Sequence, residues 1–205
     1  MKCTMRSDPL DARNWSLCPV EQFDVKESYR KDLAGILIPS GKIEERVKQL
    51  AYEVSQDYTK PPLAVCMMTG ALKFYGDLVM RMNIPVTPEY LTATSQAGTE
   101  SKGKVDFHGF DFDVMKDQDV VIVEDIKDTG LTLRETVNES WKAGAASVKV
   151  VTAFDKPARK KHDIGVEPHI GITIPDKYVV GYWLDFKGRY RDIAHLCVLK
   201  PEIFQ

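Results

Sequence analysis

Short aliphatic runs alternating with segments of helical spacing constrain this chain more than any other feature. "PPLAVCMM" (61–68), "VVIV" (120–123), "SVKVVTAF" (147–154) and "HIGITI" (169–174) place apolar side chains at nearly every position. A strand with one face in water alternates instead, so these runs fit a parallel sheet covered on both faces. "EYLTATS" (89–95), "KVDFHGF" (104–110) and "VVGYWL" (179–184) are read as further strands. Ile43, Val47, Leu50, Ala51 and Val54 share one helical face, with Ser40 expected as its cap, and Leu72, Tyr75, Leu78, Val79 and Met82 share another. A third helix is expected from about Leu131 to Ala143, closed by Gly144. The expected fold is therefore α/β, a mostly parallel twisted sheet with helices on both faces. Residues 1–30 are polar and poorly patterned and read as a loosely ordered extension, leaving 31–205 as one domain with a mobile loop near 95–104.

Ligands in such sheets sit at the carboxyl ends of strands, where Thr69, Asp128 and Lys156 all fall. The richest of these ends is "VVIVEDIKDTGLT" (120–132). Glu124 and Asp125 are expected to leave the strand together, as acceptors for the vicinal hydroxyls of a sugar. Asp128, Thr129, Gly130, Leu131 and Thr132 then give a turn, two hydroxyls and successive N–H groups at a helix start, a geometry suited to an anion. A diol acceptor beside a phosphate cradle describes a 5-phosphoribosyl group. The plainer alternative, an Asp128 cap and a solvated strand end, accounts for the loop but not for the acidic pair attached to a buried strand. No GxxxxGK[ST] occurs, which removes a nucleotide P-loop, and a receiver domain would carry its acids nearer the N-terminus.

Composition narrows the class. No apolar run approaches a membrane span, and "MKCTMRSDPLDARNW" lacks the apolar core of a signal peptide. Cys3, Cys18, Cys66 and Cys197 are scattered without metal-site spacing, so free thiols in a reducing cytoplasm are expected. With a net charge of −2, no nucleic-acid or membrane partner is expected.

The 120–132 stretch resembles the motif by which type I phosphoribosyltransferases bind 5-phosphoribosyl pyrophosphate (PRPP). Downstream, "DKPARKK", "IPDKYVVGYWLDF" and "RYRDIAHLCVLKPEIF" resemble the 6-oxopurine (hypoxanthine-guanine) branch, over roughly residues 30–205. The resemblance implies the fold above with a small hood made by the terminal segments. It also implies Mg²⁺-dependent purine salvage, with PRPP and hypoxanthine or guanine giving IMP or GMP and pyrophosphate, in a homodimer or homotetramer. It assigns the ribose hydroxyls to Glu124 and Asp125, partly through Mg²⁺, and general-base work at the purine N7 to Asp128. The 5-phosphate goes to the 128–132 loop, and the base to Lys156 (at O6), Tyr178 (stacking) and Val179 (backbone). Asp185 is implied beside the base pocket and as a further Mg²⁺ ligand. Thr69, Gly70 and Arg191 are implied at pyrophosphate, with a non-proline cis peptide in that loop, and Ser95 and Gln96 open the closing loop.

The Lys156 assignment also makes sense from chemistry alone. Lysine has only donors, so it suits a 6-oxo group and rejects a 6-amino group. Lys156 is expected to be functional, whereas Arg159, Lys160 and Lys161 of the same basic run are expected to be solvated. Arg191 has a second reading as a structural partner of Asp192. The four histidines lack ligand spacing and read as structural. Three positions depart from the family pattern. Thr69 stands where a Lys is frequent, Gln96 follows Ser95 where a Tyr is usual, and Lys127 replaces a small aliphatic. Lys127 either points to solvent or adds charge beside the phosphate. Xanthine use stays open, as do two rivals. An RNA-binding regulator on this fold has only the 156–161 run as a basic face, and Asp128 argues against a catalytically retired homologue.

Overall fold

The computed structural model describes residues 7–95 and 105–204. In chain order its elements are β1 (Leu10–Asp11), α1 (Glu27–Arg30), β2 (Leu33–Ile38), α2 (Ser40–Ser55), β3 (Leu63–Met68), α3 (Leu72–Val79), β4 (Thr87–Ser95) and β5 (Val105–His108). β6 (Asp119–Lys127), α4 (Leu131–Lys142), β7 (Ser147–Asp155), β8 (His169–Thr173), β9 (Val179–Val180), β10 (Leu196–Leu199) and α5 (Pro201–Phe204) follow.

Seven strands form the main sheet in the order β1-β8-β7-β6-β3-β4-β5, parallel throughout except for β5. The aliphatic runs are its centre: Val120 to Val123 and Val150 to Phe154 are buried. From β3 the chain crosses through α3 outward to β4, and from β6 it crosses through α4 the opposite way to β7. Right-handed crossovers in opposite directions put α3 and α4 on opposite faces. The strand order thus reverses between β3 and β6, and the crevice for a ligand opens at that switch point. The second sheet, β2-β10-β9, is antiparallel and forms the hood. It has its own apolar cluster, including Val20, Val25, Ile36, Val180, Tyr190 and Cys197.

Four expectations need correction. Residues 7–30 are not a loose extension: β1 adds to β8, Ala12 is fully buried, and Cys18 and Ile36 exchange backbone hydrogen bonds at 2.9 Å. Ser40 does not cap α2. Pro39 occupies that position, and the Ser40 N–H donates instead to His195 Nδ1 at 2.9 Å. β6 does not end at Val123, because its ladder with β7 continues to the pair Lys127 and Asp155. The 179–184 run is not one strand: it stops at Val180, since Gly181, Tyr182 and Trp183 take φ values of 89°, 50° and 76°. The expected mobile loop near 95–104 lies outside the described residues apart from the backbone of Ser95, as do residues 1–6.

Candidate active site

β3 and β6 part company at the switch point, and that separation builds the site. Their ladder ends at Cys66 and Val123. Beyond it β3 turns off through a cis peptide between Met68 and Thr69, while β6 runs on for four more residues. Glu124 and Asp125 therefore do not leave the strand. They remain in it, half-buried, and supply acceptors for its backbone: Glu124 Oε1 takes the Asp125 N–H at 3.0 Å, and Asp125 Oδ1 takes the Ile126 N–H at 2.5 Å. Removal from water pushes the Glu124 carboxyl well above its usual range, helped by the neighbouring Asp125 charge. Burial raises Asp125 as well, with Arg191 acting in the other direction. Gly70 closes against this pair, since a Cβ there would lie 1.7 Å from Asp125 Oδ2.

After Lys127 the chain forms the Asp128–Gly130 turn. Gly130, at φ 85°, sits at the start of α4 and admits no side chain, because a Cβ would meet the His162 carbonyl oxygen at 2.8 Å. The N–H groups of Lys161 and His162 donate to the Thr129 carbonyl at 3.1 and 3.0 Å, which props the turn from outside. Glu124, Asp128 and Thr129 to Thr132 line a small recess of about 80 Å³ at this helix start.

A larger recess of about 220 Å³ adjoins it, lined by Asp125, Asp128, Lys156, Tyr178, Val179, Leu184 and Asp185 among others. Asp128, Lys156 and Tyr178 thus share one cavity. Burial lowers the Lys156 ammonium from its usual value, while Asp128 and Asp176 pull it back up. Arg159 was expected to be solvated. It is exposed, and from the short helical turn at Pro157–Arg159 its Nε also donates to Asp128 Oδ1 at 3.0 Å. Its place three residues after Lys156 in a Pro-led turn was the signal available. Phe204 was also missed: its ring stacks on Tyr178 with centroids 4.8 Å apart, and Phe186 meets Tyr178 edge-on. A further recess of about 530 Å³ is also lined by Asp128, Lys156, Arg159 and Tyr178, and takes in Leu17, Ala34, Val198 and Phe204.

Other assignments come apart. Asp185 is engaged by Arg191 at 2.7 Å and by the Gly188 N–H at 2.7 Å. Among the described residues no three His, Cys, Asp or Glu side chains converge on a cation position, so Glu124, Asp125 and Asp185 do not form one metal site here. Arg191 pairs with Asp185 rather than Asp192, which is held by Lys26. Thr69 is exposed and lines none of these recesses. Lys127 fits neither expectation, being 6% exposed and ion-paired with Asp155. The side chain of Ser95, and Gln96, lie outside the described residues.

A family model described as "Phosphoribosyl transferase domain" matches residues 37–179. The hypoxanthine-guanine phosphoribosyltransferase of Bacillus subtilis is 35% identical over 179 residues, 86% of this chain and 98% of that one. The chain belongs to the hypoxanthine-guanine phosphoribosyltransferase family. A second relative, the hypoxanthine-guanine-xanthine phosphoribosyltransferase of Tritrichomonas foetus, is 33% identical over 84% of this chain and 95% of its own. The crystal structure of a Staphylococcus aureus hypoxanthine phosphoribosyltransferase superposes with a TM-score of 0.80 at 32% identity, covering 89% of this chain and all of that one. The switch-point crevice, the acidic pair and the hood are thus seen in a phosphoribosyltransferase of the 6-oxopurine branch.

Proposed function

We propose that this chain transfers the 5-phosphoribosyl group of PRPP to hypoxanthine or guanine, with xanthine as a further candidate base, releasing pyrophosphate. The observation that carries this is the meeting of Asp128, Lys156 and Tyr178 around one cavity that adjoins an anion-sized recess at a helix start. The Thr129–Thr132 turn offers N–H groups and hydroxyls to the 5-phosphate, aided by the positive end of α4. Glu124 and Asp125 accept from the ribose hydroxyls. Lys156 donates to O6 of the base, Tyr178 stacks on the ring, and the Val179 backbone meets its edge. Asp128 takes or shares the N7 proton as that nitrogen attacks C1′, and Arg159 is placed to stabilise its carboxylate. Thr69, Gly70 and Arg191 face the departing pyrophosphate, and Ser95 and Gln96 begin the segment that closes over it.

The desolvated Glu124–Asp125 pair fits Mg²⁺, because a cation relieves the same crowding of negative charge that protonation relieves. When bound, Mg²⁺ would offset charge on the pyrophosphate. A homo-oligomer in a reducing cytoplasm completes the reading. The reducing compartment alone is what the free, buried Cys66 and Cys197 suit, their thiols pushed up to about 12 by burial.

Protein, Mg²⁺ and PRPP mixed with each purine base should give nucleotide and pyrophosphate with hypoxanthine or guanine. Adenine should be poorer by about 10⁴-fold or more, since its 6-amino group would oppose the Lys156 donor in a dry pocket. Absence of turnover with every 6-oxopurine ends the proposal. In the same assay Asp128→Asn should lower kcat by about 10²–10⁴-fold while PRPP still binds.

A further inference from the structure

Lys127 stands in the middle of the acidic motif, yet none of the chemistry above uses it. Its ammonium is ion-paired with Asp155, and the two residues are 6% and 5% exposed. They face each other directly in the parallel ladder, as the last residues of β6 and β7. The next residues in sequence are Asp128 and Lys156, which line the base cavity. A second tie runs through the backbone, where the Lys156 N–H donates to the Lys127 carbonyl at 3.0 Å.

Buried, and lining none of the recesses of the crevice, this pair is poorly placed to attract a charged substrate. It does control strand separation. Slippage or spreading of β6 against β7 would leave two uncompensated charges away from water, a strongly unfavourable state. An apolar pair of the same volume would tolerate that movement, because dispersion has no preferred direction. We propose that the Lys127–Asp155 ion pair is a positioning lock that fixes Asp128 and Lys156 relative to each other and so sets discrimination among bases. The proposal rests on the function above and makes Lys127 and Asp155 positioning residues, not catalytic ones. The phosphate turn is held separately by the Lys161 and His162 N–H groups on Thr129, so its anion site should not depend on the lock.

The test replaces both charges, since removing one would strand the other. Lys127→Met/Asp155→Leu is the first variant, and Lys127→Met/Asp155→Asn, with a smaller change in volume, is the second. Each is measured by thermal unfolding, by kcat/KM for hypoxanthine and adenine, and by KM for PRPP. The expected result is a folded enzyme with unchanged KM for PRPP. Its kcat/KM for hypoxanthine should fall by up to about 10²-fold, as for a displaced catalytic group, and its preference over adenine should narrow. Wild-type turnover with unimpaired variants overturns the lock alone, as does a loss that falls equally on base and PRPP. No wild-type turnover with any 6-oxopurine overturns the function and the lock together.

Discussion

Glu124 and Asp125 show how a residue can be placed against its own preference. Two adjacent carboxylates half-buried in β6 cost stability in the ligand-free chain, and the Glu124 carboxyl is raised because burial and the Asp125 charge both disfavour its ionised form. The sign follows from proton counting. The folded chain keeps a proton that the unfolded chain releases near the ordinary value of 4.5. Stability from this group therefore falls as pH rises from 4.5 toward the raised value, and is regained on acidification. Glu124→Gln removes the penalty, so the Tm of the variant minus that of wild type should be small near pH 5 and positive near pH 8. Activity should drop in the same variant. A Tm difference that is flat with pH, or shrinks as pH rises, would show that Glu124 is ionised at no cost. The pair was visible in the sequence as two acids after an aliphatic run, but its partial burial was not, because Asp125 packs against Gly70 in the turn after β3, far away in sequence. Lys127 was ambiguous for the same reason: its partner Asp155 lies 28 positions away.

Among elements, the strands read directly from the sequence are those with several apolar residues in a row, and those read wrongly are decided by partners. β1 has two residues and no pattern of its own; only the edge of β8 makes it a strand. β9 looked longer because "VVGYWL" is apolar throughout. Its end is set by three successive left-handed residues, of which only Gly181 is a recognisable signal. Gly181 also lies against the hood, where a Cβ would meet the His195 carbonyl oxygen at 2.1 Å. Gly181→Ala should thus cost about 1–3 kcal/mol from backbone strain alone, with the clash adding to it. Chemical denaturation would read this as a lowered midpoint. A midpoint equal to wild type would mean that the turn relaxes freely and does not fix Tyr178 and Val179 just before it.

At the scale of the molecule, the site lies where the main sheet meets the hood. The hood's strands give Leu37, Ile38, Val179, Leu196 and Val198 to the main core, and Ile36, Val180 and Cys197 to a second cluster. The sequence announced the main sheet through its aliphatic runs. The hood came only from the resemblance, because it joins β2 near one end of the chain to β9 and β10 near the other. The phosphate recess is lined by residues of β6, α4 and their connection alone, whereas the base recess takes Tyr178, Val179, Leu184 and Asp185 from the hood side. A ligand that occupies both recesses should therefore tie the hood to the sheet, and one that fills only the first should not. A ligand suppresses local opening only where its contacts would be lost on opening. Amide hydrogen exchange can separate the two cases. IMP should slow exchange in both 124–133 and 178–199, while ribose 5-phosphate at matched occupancy should slow only 124–133. Equal protection of the hood by ribose 5-phosphate would mean that hood and sheet already move as one body. The base would then be selected by a preformed slot, without any closing of the hood upon it.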